Sequence, residues 1–223
     1  MKHFFCRICL AWCVVMVITL VVPLQSFQLK EQFAQGLPGQ YVVALYQKHY
    51  ILIRILAKEQ QVVTVEELLV PAMRRPQGLS WQQWMAQGAP CATSHSLYRI
   101  DLTHGRLLSQ EEKLCSEMTP WVQSFLTSLL NMPLEDVPVG NRRKIARTQL
   151  EWVPKLSVCG HPVQVSGFRV LWGIWPADQS VLAGRRVELY VPLPGEGYPS
   201  FFPTWIQVQG IDRGTISLVD GGA

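Results

Sequence analysis

The chain has 223 residues with 20 Lys or Arg and 16 Asp or Glu, a formal net charge of +4. Two of the basic residues lie near the N-terminus, so the rest of the chain carries 18 basic and 16 acidic side chains. This near balance argues against a nucleic-acid partner, because nucleic-acid-binding domains are strongly basic with clustered charge.

Residues 1–26 have the pattern of an export signal. Lys2 and Arg7 precede an apolar run from Ile8 to Val22, and Ser26 offers a small residue at a cleavage site. Because the extended run just reaches spanning length, an uncleaved N-terminal membrane anchor remains the alternative. Either form predicts export across the inner membrane, with residues 27–223 as one domain in the periplasm or cell envelope.

Three cysteines, Cys91, Cys115 and Cys159, remain after the first 26 residues. An odd number of thiols in an oxidising compartment indicates one disulfide plus a free or intermolecular thiol. Three separate buried thiols are the alternative, because cysteine packs like a small hydrophobic residue.

The first half of the domain predicts an antiparallel meander followed by a short helix and a hairpin. The three β-rich segments are Gln40–Gln47, Tyr50–Ala57 and Gln61–Leu69, joined by connections too short for parallel pairing. The third segment alternates, which predicts a wetter face with Glu66 and Leu68 and a drier face with Val63 and Val65. Ser80 is expected to cap a helix that follows it. A hairpin is expected from Leu97 to Leu108, turning at Thr103–Gly105.

The second half predicts one longer helix and then strands. Pro120 opens a segment with apolar residues near a 3.6 period, Thr119 is expected to cap it and Pro133 to stop it. Strand patterns return over 163–175, 185–193, 204–210 and 215–219. We therefore predict an α+β domain whose mostly antiparallel, curved β-sheet is covered by one or two helices, preceded by an N-terminal hydrophobic signal or anchor helix.

Cys91 and His95 are the candidates for nucleophilic chemistry, with His161 as a second candidate base. A thiol nucleophile needs a nearby base that takes its proton. No nucleophile-elbow pattern surrounds Cys91, so a structural or disulfide role is the favoured interpretation. Enzymatic activity has no positive support in the sequence.

We expect neither a metal nor a cofactor. Zinc ligands occur in pairs two to four residues apart on tight turns, and the spacing in this chain does not match a zinc knuckle. The residues considered are Cys91, His95, His104, Cys115, Cys159 and His161. Glu66 and Glu67 are adjacent on a strand and therefore face opposite ways. The chain has no phosphate-binding glycine loop or dinucleotide fingerprint.

A basic cluster and a set of tryptophans are the candidate binding features. Arg142, Arg143, Lys144 and Arg147 either form a solvated loop or contact anionic headgroups or lipopolysaccharide. The tryptophans either fill the core or line an apolar cavity.

Four groups of residues share a recognisable spacing: Ser80-Trp81-x-x-Trp84, Gly88-Ala89-Pro90, Tyr98-Arg99-Ile100-Asp101, and the late run Trp175-Pro176 … Leu182-x-Gly184 … Glu188-Leu189-Tyr190 … Phe202-Pro203-x-Trp205-Ile206. Over roughly residues 36–210, this arrangement resembles uncharacterised exported or envelope proteins of chlamydia-type bacteria. The resemblance implies an envelope or secreted context, and it implies no activity, cofactor or site residue.

The prediction for function is an exported, non-enzymatic envelope protein that binds an apolar ligand or an envelope partner. The expected partners are a lipid or an envelope protein, with a membrane tether through residues 1–26 and no nucleic acid. One alternative is a structural envelope component cross-linked by a disulfide. The other is a thiol hydrolase that uses Cys91.

Overall fold

The structure is a computed structural model that describes residues 27–75, 77–114, 119–165, 167–178, 180–212 and 214–223, with side chains except at 112–124. The predicted signal or anchor at residues 1–26, the thiol of Cys115 and the capping side chain of Thr119 lie outside this description. Every helix in the described part of the chain is too short or too polar to cross a membrane.

The described residues form one open, mostly antiparallel sheet, as the sequence predicts. Its order is β5-β4-β3-β2-β1-β12-β11-β10-β9-β6, and β7 pairs with β12 and β8. The strands are β1 Tyr41–Tyr46, β2 His49–Glu59, β3 Val62–Pro71, β4 Ser94–Asp101, β5 Arg106–Leu114, β6 Leu134–Asp136, β7 Leu156–Val158, β8 His161–Val163, β9 Phe168–Ile174, β10 Arg186–Pro192, β11 Trp205–Val208 and β12 Thr215–Gly222.

Three helices accompany the sheet: α1 Leu29–Phe33, α2 Trp81–Ala86 and α3 Thr119–Asn131. The predicted cap of α2 is confirmed, because Gln83 N donates to Ser80 Oγ at 3.1 Å and Ser80 N donates to Gln83 Oε1 at 2.9 Å. α3 ends two residues before Pro133, as predicted. α1 and the short strands β6, β7 and β8 were not predicted from the sequence, because they are too brief to show a period.

The sheet buries residues on both faces. The front face carries Val42, Ile53 and Val65, which belong to the main core with residues of α1 and α3. The back face carries Val43 and Leu52, which pack in a second core around α2.

The prediction of a wetter face on β3 is wrong at its C-terminal half. Glu66 and Leu68 are buried there. Leu68 packs with Trp81 and Trp84 of α2, which cover the back face at that point. The alternation holds only at the start of β3, where Val62 and Thr64 are half-buried and Val63 and Val65 are buried.

Glu67 is a buried carboxyl on the front face. It is 4% exposed and lines a chamber of about 30 Å³ with Ile53, Leu126 and Phe202. Ser96 lies opposite it on β4, and the Ser96 hydroxyl has no hydrogen-bond partner among the described residues. Burial raises the pKa of Glu67 to about 8, so this carboxyl is mainly protonated at neutral pH.

The first prediction concerns the pH dependence of stability. The pKa of Glu67 is raised from 4.5 to about 8 in the folded chain. The stability associated with the protonated carboxyl is therefore fully present below pH 4.5 and is lost as the pH rises through about 8. Glu67→Gln cannot ionise. We therefore compare the unfolding free energy of Glu67→Gln with that of the native chain. Between about pH 5 and about pH 9, we expect this difference to shift in favour of the variant by about 2–4 kcal/mol.

Urea unfolding followed by tryptophan fluorescence at several pH values provides the measurement. Glu66→Gln is the matched control, because Glu66 faces the other way and is paired with Arg54 and His95. The control should keep the alkaline loss of stability seen in the native chain. If the unfolding free energies of Glu67→Gln and the native chain change in parallel with pH, the prediction is wrong, because Glu67 would then have the same pKa in the folded and unfolded chains.

Candidate binding groove

A groove of about 950 Å³ runs along the back face at β11 and β12. Trp205 and Ser217 are cross-strand partners in its floor, so their side chains share that face. One wall is the chain from Trp152 to Leu156, and the other is Pro162 to Val165. This volume lies within the range of ligand sites, roughly 300–1,000 Å³.

The floor and first wall of the groove meet in an aromatic cluster. The ring centroids of Trp152 and Trp205 are 5.2 Å apart, and Tyr190 lies 5.3 Å from Trp152 and 5.4 Å from Trp205. The Arg143 guanidinium lies 4.4 Å from the centroid of Trp205. Edge-to-face ring contacts and a stacked cation hold these side chains in one arrangement.

The first wall continues a small hairpin, Arg143–Trp152, which we call the finger. Trp152 N donates to Arg143 O at 2.8 Å, and Ile145 N donates to Leu150 O at 2.9 Å. Lys144 and Glu151 form an isolated antiparallel bridge between these bonds. The finger is therefore a closed local structure inside a segment that has no regular sequence pattern.

The structure divides the predicted basic cluster into two pairs. Arg142 is 3.2 Å from Glu151, and Arg143 Nε is 3.2 Å from Glu188 of β10. Lys144 and Arg147 are exposed and form no ion pair with any described residue. Two of the four cations therefore anchor the finger, and the other two face solvent.

The structure does not gather the candidate catalytic residues. Cys91 is exposed in the turn before β4, with φ of 67°. His95 Nε2 is 2.9 Å from Glu66 Oε1, and Glu66 Oε2 is 2.6 Å from Arg54 Nη2. No hydrogen bond joins Cys91 to His95 in the described part of the chain, and His161 is exposed on β8.

Of the three cysteines predicted to hold a disulfide, Cys91 and Cys159 are free thiols. Cys115 lies outside the described residues. His104 is hydrogen-bonded to Asp101 at 2.7 Å. Among the described residues, no group of three His, Cys, Asp or Glu side chains could hold a metal ion.

A polar pocket of about 310 Å³ also lies on the back face, between α2 and β12, and sequence reasoning missed it. Tyr41 Oη donates to Asp220 Oδ2 at 3.4 Å, and Gly160 N donates to Asp220 Oδ1 at 3.0 Å. Burial raises the pKa of Asp220 and of Tyr41. Arg75, 4.0 Å from the centroid of Trp81, adds a cation to the same pocket. No local signal marks this group, because its members are distant in sequence.

A further cavity, on the front face, is a cleft of about 240 Å³. It is lined mainly by apolar side chains, among them Phe125 of α3, Leu182, Val208 and Ile211. It is smaller than the groove and offers no charged side chain among its described lining residues. The groove therefore combines the larger volume, the aromatic wall and the neighbouring cations.

Comparison with known proteins identifies a family and a fold. The family model described as CT021 protein matches residues 51–164, a range that includes the finger. The solved 2.0 Å structure of the hypothetical protein CT021 from Chlamydia trachomatis is 17% identical, with a TM-score of 0.58, over 87% of this chain and 92% of that one. No curated protein matches the chain. Because the family model covers just over half of the residues, the chain belongs to the CT021 protein family, an uncharacterised chlamydial family.

Proposed function

We propose that this protein is a non-enzymatic binding protein of the bacterial cell envelope that holds an apolar ligand in the groove. The single observation that carries the proposal is the groove itself, with about 950 Å³ of space against two tryptophans. The export pattern of residues 1–26 supports the envelope location.

The chemistry of the walls favours a ligand with an alkyl chain. Val153, Leu156, Val163 and Val165 line the groove together with the two indoles. Each methylene group that such a ligand buries contributes about 0.8 kcal/mol. The apolar contribution to affinity therefore grows with the length of chain that the groove buries.

The polar groups of the groove favour an acidic head on that ligand. Lys155 is the only charged residue among its described lining residues. Thr215 and Ser217 supply hydroxyls on the floor. A fatty acid or a related anionic amphiphile fits both the apolar walls and this single cation.

The second prediction is that Ser217→Phe blocks the groove. Ser217 is half-buried on the floor, so a benzyl group there occupies ligand space. We expect the affinity for dansyl-undecanoic acid to fall by about tenfold or more, since the variant displaces several methylene contacts. Energy transfer from tryptophan to dansyl measures binding.

Ser109→Phe is the control, because Ser109 is exposed on β5, the edge strand at the far end of the sheet order. It should bind the probe as the native chain does. Thermal melting should show that both variants remain folded. Equal affinity of Ser217→Phe and the native chain would remove the groove as the site.

A second candidate function is a structural envelope component cross-linked through Cys91. The observation that favours it is the exposed, unpaired thiol of Cys91 in a surface turn. An exposed thiol in an oxidising compartment is available for an intermolecular disulfide.

The third prediction tests this candidate in whole cells of the native organism. We expect a higher band on non-reducing gels that collapses with reductant and is absent in Cys91→Ser. Cys159→Ser is the control and should retain the band, because Cys159 is half-buried beside Tyr41. A monomer in both lanes, with and without reductant, rules out the cross-linked component.

A further inference from the structure

We propose that the tip of the finger, Lys144–Leu150, docks on an anionic lipid bilayer. This proposal goes beyond ligand binding in the groove and does not rest on it. It assigns the contact to two exposed cations and two exposed apolar side chains of the tip, and it excludes Arg142 and Arg143 from that contact.

The finger is held at its base and free at its tip. Arg142 pairs with Glu151, Arg143 pairs with Glu188, and Trp152 packs against both Tyr190 and Trp205. Every residue from Lys144 to Leu150 is exposed. A tip with a fixed base can meet a surface without first ordering the loop, which removes an entropic cost of association.

The finger and its flanks carry exposed apolar side chains, one of which, Ile145, also lines the groove. Ile145 is 43% exposed and Leu150 is 66% exposed, and their backbones are hydrogen-bonded across the tip. Val139 and Val153, on either side of the finger, are also exposed. Single exposed apolar residues are ordinary, whereas neighbouring ones such as Ile145 and Leu150, whose backbones are hydrogen-bonded, indicate an interaction site.

The charges around these apolar side chains match an anionic surface. Residues 142–155 contain five basic side chains and one acidic side chain, Glu151. Arg142 neutralises Glu151, and Lys144, Arg147 and Lys155 remain exposed without an ion pair among the described residues. Apolar side chains flanked by unpaired cations are the combination that binds the interface of anionic membranes.

The number of exposed cations at the tip sets the expected affinity for an anionic bilayer. Each basic residue near an anionic bilayer raises the affinity by about fivefold. Removing two of them should therefore weaken binding by about 30-fold, and the loss should shrink at high salt, because salt screens exposed charges.

The test is co-sedimentation of the full-length chain with vesicles. One set contains phosphatidylglycerol and phosphatidylethanolamine, and the other contains phosphatidylcholine alone. All variants carry the same N-terminal segment, so only ratios between variants are compared. Lys144→Gln with Arg147→Gln should bind the anionic vesicles about 30-fold more weakly. Ile145→Ser with Leu150→Ser should lose at least about tenfold.

Two double variants serve as matched controls. Arg99→Gln with Arg106→Gln removes two exposed cations of β4 and β5, at the other end of the sheet order, that form no ion pair among the described side chains. Leu37→Ser with Val181→Ser removes two exposed apolar side chains outside the finger. Both should stay within about twofold of the native chain, because neither changes the tip.

Three results would overturn the proposal. The tip variants could bind like the controls, or they could lose as much binding to phosphatidylcholine vesicles as to anionic ones. The tip variants could also keep vesicle binding while losing binding to an acidic peptide such as polyglutamate, which would assign the finger to a protein partner. Melting curves of all variants verify folding, and Ser217→Phe should retain vesicle binding even where it loses the groove ligand.

Discussion

The pairing of β1 with β12 is the constraint on which the rest of this structure depends. It joins the β1–β5 meander to the strands from the second half of the chain, and it lies in the middle of the sheet order. Its register sets Tyr41 opposite Gly222 and Leu45 opposite Ser217, with an irregularity at Val43/Ala44. Since these two strands are far apart in sequence, their pairing closes a long loop. The conformational entropy lost on closing that loop must be offset by the burial of apolar side chains in both cores.

The features of the back face follow from this junction. β12 supplies Ser217 to the floor of the groove and Asp220 to the polar pocket, where Tyr41 of β1 meets it. Arg143 then links the finger to the sheet, because it is paired with Glu188 and lies over Trp205. The positions of the groove, the polar pocket and the finger therefore all depend on the segments that pack on the back face of the second half of the sheet.

The likeness to the chlamydial structure concerns the fold. At 17% identity with a TM-score of 0.58, the two chains share an architecture while most side chains differ. Such divergence is expected where a core requires apolar residues of suitable volume rather than particular ones. The family carries no known activity, so function has to be argued from the site residues of this chain.

The sequence by itself determined what depends on neighbouring residues. The meander, the hairpin at His104, the Ser80 cap and the stop of α3 before Pro133 follow from alternation, short connections and local hydrogen bonds. Tertiary structure alone decided which residues face one another across the sheet. It buried Glu66 against Arg54 and His95, brought Asp220 to Tyr41 and divided the basic cluster into anchors and a free tip. Those outcomes depend on long-range strand pairing and on acidic partners that no local pattern encodes. For this reason, the four cations of one short segment have two different roles.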